Sequence, residues 1–204
     1  MVIDPNDLSK SRAVAEDDRT HVLTGHFIWQ LPFGKGRRWA NTGWLADVVG
    51  QWQLSGIGAF STGRPLVITG ITASNGVSTG LGAYAKLLGD PKLPEGQQTL
   101  DKWFNNEKDP AKGAAFAQPD PFTFGTGTRT YPDVRGPNVK RMDLMLTRSQ
   151  PIKKTNLEFR IEVQNVFNAP LYGEPIGSFT DVNFGRINTG TGERRMQLGL
   201  RFSF

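Results

Sequence analysis

From Leu157 to Asn168 the chain reads L-E-F-R-I-E-V-Q-N-V-F-N. Leu157, Phe159, Ile161, Val163 and Phe167 share one parity, and Glu158, Arg160, Glu162 and Gln164 share the other. A period of two fits no helix, so the stretch predicts a strand with one apolar and one charged face. The last residues repeat it: Met196, Leu198, Leu200, Phe202 and Phe204 alternate with Gln197, Gly199, Arg201 and Ser203. Between Val139 and Arg148, Met142, Leu144 and Leu146 alternate with Arg141, Asp143, Met145 and Thr147.

Two earlier strands follow the same rule. The first runs from about His21 to Leu31, with Leu23, Gly25, Phe27, Trp29 and Leu31 on its apolar face. The second runs from about Gly50 to Thr62, with Trp52, Leu54, Gly56, Gly58 and Phe60 together. Leu66 to Thr72 is read as a continuation beyond a kink at Gly63-Arg64-Pro65. Residues 35–48 connect these strands, with one helical turn near Leu45–Val48. Residues 1–18 are read as a polar loop whose Glu16-Asp17-Asp18 run is solvated. From Ala73 to about Asn138 no pattern is sustained, and Gly, Pro, Asn and Thr abound.

Alternation alone does not say which face is wet. A soluble β-sandwich buries its apolar face, whereas an outer-membrane barrel turns it to lipid and its polar face to an aqueous lumen. Three observations favour the barrel. A structureless stretch as long as 73–138, within a connection over about 66–138, is unusual in a compact soluble domain but ordinary outside a membrane. The connections alternate short and long, as when only one side has room for large loops. In the third strand Lys140 and Arg148 bracket the apolar residues. Those eight steps, at about 3.3 Å and tilted by about 40°, rise roughly 20 Å, close to the apolar band of about 25 Å in such barrels. The fold class expected is therefore all-β: about five antiparallel up-and-down strands of a transmembrane barrel, incomplete in this chain, with a long extracellular loop.

Composition narrows the chemistry. Of 204 residues, apolar types make up 37%, and no apolar run approaches the roughly 18 residues of a membrane helix. There is no cysteine, hence no disulfide framework or thiolate site. The only histidines, His21 and His26, are five apart and face opposite sides of a strand, so they do not serve one site together; a Ser-His-Asp triad would use His26, on the polar face, but no nucleophile-elbow pattern accompanies it. No catalytic, metal or cofactor site is assigned, and no enzyme activity is expected. Gly125-Thr126-Gly127-Thr128 lacks the lysine of a phosphate loop and is read as a flexible loop. The net charge is +5, but the densest basic cluster is only Lys35, Arg37 and Arg38, so no nucleic-acid partner is expected.

The polar residues that stand out are Arg141, Asp143, Glu158, Arg160, Glu162 and Arg201. In a barrel they face the lumen, as a ladder of opposite charges on neighbouring strands or as contacts to a plug or substrate. Leu157, Phe159, Ile161, Val163, Leu198, Leu200 and Phe202 then face lipid. The loop aromatics Tyr84, Trp103, Phe104, Phe116 and Tyr131 either contact ligand or fold the loop onto itself. The competing reading is a secreted β-sandwich binding module for carbohydrate.

A set of short motifs carries a family resemblance over residues 16–204. They are L-P-F-G-K-G-R-R-W (31–39), W-Q-L-S-G (52–56), S-T-G-R-P-L (61–66), W-F-N (103–105), A-A-F-A (114–117), R-G-P-N (135–138), the 157–168 strand, N-F-G-R-I (183–187) and M-Q-L-G-L-R-F-S-F (196–204). In order and spacing they resemble the C-terminal barrel portion, here 19–204, of TonB-dependent outer-membrane receptors, the Oar-like subgroup with a carboxypeptidase-regulatory-like domain. The resemblance implies active uptake of a scarce substrate across the outer membrane of a bacterium. The partners it implies are lipid, the rest of the barrel, a plug domain, the TonB complex and the outer-membrane assembly machinery, for which Phe204 would be the signal. Residues 1–18 carry no signal peptide, so one is expected upstream in a longer protein, and five strands are expected not to transport alone.

Overall fold

The computed structural model describes residues 9, 12–71 and 84–204. The chain divides into two compact units, here called the sheet unit and the loop unit. The sheet unit comprises Val22–Ser61, Val139–Leu171 and Thr191–Phe204. The loop unit comprises Met1–His21, Thr62–Asn138 and Tyr172–Gly190.

The sheet unit holds five strands: β1 (Val22–Gln30), β2 (Trp52–Ser61), β3 (Val139–Ile152), β4 (Thr155–Gln164) and β5 (Arg195–Ser203). They pair antiparallel in sequence order, β1-β2-β3-β4-β5. Among the described residues β1 and β5 are the edges, and the sheet is not closed. The connections at one end are 31–51 and 153–154; those at the other are 62–138 and 165–194. The alternation of short and long connections is therefore present.

Register decides what alternation leaves open, because a slip of one residue would mix the faces. Leu198 stands opposite Ile161 and Leu200 opposite Phe159. Ile161 stands opposite Leu146, and Val163 opposite Leu144. Leu146 meets Leu54 and Leu144 meets Gly56; Leu54 meets Trp29 and Gly56 meets Phe27. The apolar parity of all five strands thus lies on one face. That face is not packed into a core: Leu198 is 78% exposed, Leu200 65% and Leu23 67%. Gly56 has a structural reason within it, since the Phe27 ring and Leu144 lie where its Cβ would be, at 2.5 and 2.7 Å.

Some boundaries differ from the sequence expectation. β3 and β4 run on to Ile152 and back from Thr155, so the link read over 149–155 is a two-residue turn, with Lys153 at φ +55°. β4 ends at Gln164 rather than Asn168, because Asn165 and Asn168 take left-handed backbone. Asn165 is held there as its N–H donates to Asp143 Oδ1 at 2.8 Å and its amide donates to the Ala169 carbonyl at 2.9 Å. The helical turn expected near 45–48 is α1 (Gly43–Val49).

The loop unit overturns the reading of a patternless loop. Leu66, Ile68, Ala85, Phe104, Ala115, Phe116, Tyr131, Val134 and Phe184 form a buried core, with Phe104 and Phe116 at 0% exposure. Four rings meet edge to face, Phe104 with Phe116 and Phe184, and Phe116 with Tyr131 and Phe184, at 5.0–6.2 Å between centroids. Short antiparallel ladders frame it, Pro65–Leu66 with Tyr131–Arg135, and Lys86–Leu87 with Phe116–Ala117. Leu66 therefore turns into this unit and does not extend β2. Residues 72–83, within the expected loop, lie outside the described residues.

Candidate functional site

The polar face of the sheet gathers all six polar residues singled out in the sequence. β4 places Glu158, Arg160 and Glu162 on successive outward positions, about 7 Å apart along the strand. Arg160 reaches both ways, Nη2 to Glu158 Oε1 at 3.1 Å and Nη1 to Glu162 Oε1 at 3.2 Å. On β3, Arg141 Nη2 lies 3.3 Å from Asp143 Oδ2. These ion pairs run along a strand, not across strands as the ladder expectation had it. Gly199 stands opposite Arg160, so no side chain of β5 faces it directly. Arg201 stands opposite Glu158 and Gln197 opposite Glu162. Between them opens a cleft of about 200 Å³ lined by Glu158, Arg160, Glu162, Gln197, Gly199 and Arg201.

Each of these pairs is partly exposed, so each stabilises the sheet by roughly 0.2–1 kcal/mol. Their chemical capacity is hydrogen bonding and charge of both signs. With Asp143 also accepting from Asn165 N–H, one of its carboxylate oxygens is committed to the backbone. Such a surface suits water, polar solute or a polar protein segment. His26 lies on this face in β1, while His21 precedes the strand in the loop unit. Among the described residues no group of three His, Asp or Glu side chains has metal-binding geometry.

The loop aromatics resolve in favour of self-packing. Phe104, Phe116, Tyr84 and Tyr131 are buried, and Trp103 packs on the core while its Nε1 donates to the Arg135 carbonyl at 2.7 Å. Burial pushes the Tyr131 phenol up to about 12, the nearby Thr128 N–H pulling the other way without closing a hydrogen bond. The 125–128 segment is not a flexible loop. Gly125 and Gly127 are buried, and a Cβ at Gly125 would sit 1.8 Å from the Tyr84 carbonyl oxygen. Gly127 N–H donates to Ala85 O at 2.9 Å.

Sequence reasoning missed one polar feature. The 16–18 run is largely exposed, as expected, but each carboxylate also has a distant partner: Glu16 pairs with Arg129 at 3.5 Å, Asp17 with Arg64 at 3.2 Å, and Asp18 with Arg135 at 2.8 Å. Arg135 also donates to the Gly63 carbonyl at 3.1 Å, tying the segment to the loop core. Three consecutive carboxylates were the only signal, and their partners lie about 50 to 120 residues away, beyond any local pattern.

A family described as an outer membrane beta barrel domain matches residues 1–197. No curated protein and no solved structure matches the chain. The match agrees with an antiparallel sheet whose apolar face is exposed rather than buried, which is what strands facing lipid require. By its fold, by the exposure of that face and by a match over nearly its whole length, the chain belongs to the outer membrane beta barrel domain family.

Proposed function

We propose that this outer-membrane β-barrel protein is part of a TonB-dependent receptor that takes up a scarce substrate, and that it is not an enzyme. The observation that carries the reading is the register of the five strands, which sorts every apolar parity to one face and the ion pairs of Arg141 and Arg160 to the other. In this reading Leu157, Phe159, Ile161, Val163, Leu198, Leu200 and Phe202 face lipid. Arg141, Asp143, Glu158, Arg160, Glu162 and Arg201 face the lumen, where the paired charges contact a plug or passing solute. The 31–51 and 153–154 connections are then periplasmic, and the loop unit extracellular. The edges of β1 and β5 are closed by further strands, and Phe204 is read by the assembly machinery.

A soluble carbohydrate-binding sandwich does not account for the exposed apolar face or for the family. The receptor reading is tested by disrupting the gene and measuring growth and uptake with iron chelates, cobalamin, glycans and peptides, each as the limiting nutrient. Energy-dependent uptake of one of them is expected to be lost, and to be lost equally in the intact strain when the proton-motive force is collapsed. Unchanged uptake of all four would refute it.

A further inference from the structure

The end of the sheet that carries the short connections is built unlike the other. Four of the five tryptophans of the chain, Trp29, Trp39, Trp44 and Trp52, fall within 29–52. α1 displays Trp44, Leu45 and Val48 on one side, with Trp44 72% exposed, and buries Ala46 on the other. At this spacing the three lie on one helical stripe. An exposed apolar stripe on a seven-residue helix would be expected to roll inward, but this helix is held from behind. Arg148 Nη1 donates to the Val48 carbonyl at 2.8 Å, and its Nη2 donates to the Asp47 carbonyl. Trp52 Nε1 donates to the same Val48 carbonyl at 3.2 Å. These are the carbonyls a helix C-terminus leaves without partners. Trp52 and Arg148 stand opposite each other on the apolar parity of the sheet, so the helix is anchored to that face.

Charge is concentrated in the same place. The connections 31–51 and 151–156 hold five cations, Lys35, Arg37, Arg38, Lys153 and Lys154, and one carboxylate, Asp47. Asp47 Oδ1 lies 2.6 Å from Lys35 Nζ. Arg37 donates to the neutral Gln30 side chain at 2.8 Å, and the Arg38 guanidinium lies 5.4 Å from the centre of the Trp39 ring. Aromatic side chains favour the headgroup level of a bilayer, and lysine and arginine favour an anionic surface. An apolar helix stripe anchored to a lipid-facing sheet, rimmed by five cations against one carboxylate, has the composition of an interfacial anchor.

We infer that this rim, α1 with the 31–39 and 153–154 turns, binds anionic phospholipid headgroups at the membrane surface. The inference rests on the membrane reading of the sheet and adds to it a ligand class and a position. A neutral bilayer would satisfy the tryptophans but not the cations.

Because the chain has no cysteine, Leu45→Cys and Leu200→Cys each take one environment-sensitive fluorophore. The full-length receptor, with any cysteine outside this chain replaced, is refolded into phosphatidylcholine vesicles, and into vesicles that contain about 30 mol% phosphatidylglycerol. The probe at position 200 is expected to report hydrocarbon in both lipids. The probe at position 45 is expected to move to the interface only with phosphatidylglycerol. That docking is expected to weaken about fivefold for each cation removed in Lys35→Gln, Arg37→Gln and Arg38→Gln, and to be lost in about 0.5 M salt. A probe at position 200 that stays in water would overturn the membrane reading itself. A probe at 200 in hydrocarbon, with one at 45 indifferent to lipid charge or to the three substitutions, would overturn the headgroup assignment alone, and would leave the rim to a protein partner.

Discussion

Leu144 and Met145 are neighbours of similar size whose side chains point to opposite faces of β3, so the same substitution at each measures the environment of a face. Leu144 lies midway between Arg148 and Lys140 on the apolar parity, four residues from either. Four steps at about 3.3 Å, tilted near 40°, place it about 10 Å in depth from each charged position, close to the middle of a band of about 25 Å. Leu144→Arg is therefore expected to cost about 2–4 kcal/mol in a bilayer. Met145→Arg stands opposite Glu162, on the face with charges of both signs, and is expected to cost under about 1 kcal/mol. Phe60→Arg provides the depth control. Phe60 stands opposite Lys140, at the rim of the band, and its ring meets Phe167 at 6.2 Å. Its replacement loses that contact and little else, about 1–2 kcal/mol. The assay is a urea titration of the full-length receptor refolded into phosphatidylcholine vesicles. If Phe60→Arg costs as much as Leu144→Arg, the face is a packed core without a depth profile, and the lipid assignment fails. If Met145→Arg is as costly as Leu144→Arg, the register argument fails.

Two further outcomes follow from other parts of the molecule. The Tyr131 phenol, raised by burial from 10 to about 12, favours the neutral form in the folded state, so its contribution is fully present below pH 10 and is lost as pH rises toward 12, by about 2–3 kcal/mol. Tyr131→Phe is expected to lessen that loss and to leave stability at pH 8 within about 1 kcal/mol, since Tyr131 Oη closes no hydrogen bond among the described residues; parallel alkaline melting curves for the two chains would contradict it. Arg148→Ala removes the side chain that holds the Asp47 and Val48 carbonyls, and is expected to speed amide exchange of residues 44–49 by about tenfold while that of β4 is unchanged; equal exchange in α1 would show that Trp52 alone holds it.

The sheet was legible because its signal is local. A period of two over eight or more residues names a strand and its faces without reference to any partner, and the parities of Leu23 to Trp29 and Met196 to Phe202 became one surface once register was known. Strand ends were less legible. Pro151 reads as a stop, yet β3 continues through it, because β2 pairs with β3 only as far as Trp52 opposite Arg148 and leaves β3 paired on one side there. The loop core was not legible at all. Phe104, Phe116, Tyr131 and Phe184 are separated by Gly- and Pro-rich turns with no common period; what joins them is tertiary packing, which leaves no local trace. The ion pairs of Glu16, Asp17 and Asp18 were hidden for the same reason, whereas Glu158-x-Arg160-x-Glu162 was visible because its partners are two residues apart.

The loop core has a consequence for the order in which the sheet forms. The β3–β4 hairpin closes over two residues and can assemble on its own in microseconds. The β2–β3 ladder must instead await the meeting of chain ends separated by residues 62–138, a closure that costs about 3 kcal/mol more if that segment is a random coil. Once the aromatic core has formed, the described residues at both ends of the segment are no longer a coil. Gly63 N–H then donates to Asn138 Oδ1 at 3.1 Å, and Gly136 N–H to the Arg64 carbonyl at 2.8 Å. Its two ends are brought side by side, with Ser61 and Val139 next in line to pair. The loop unit thereby acts as a folding clasp that turns a long crossing into the kinetic equivalent of a tight turn, and loosening its core is expected to slow sheet assembly before it changes anything in the finished sheet.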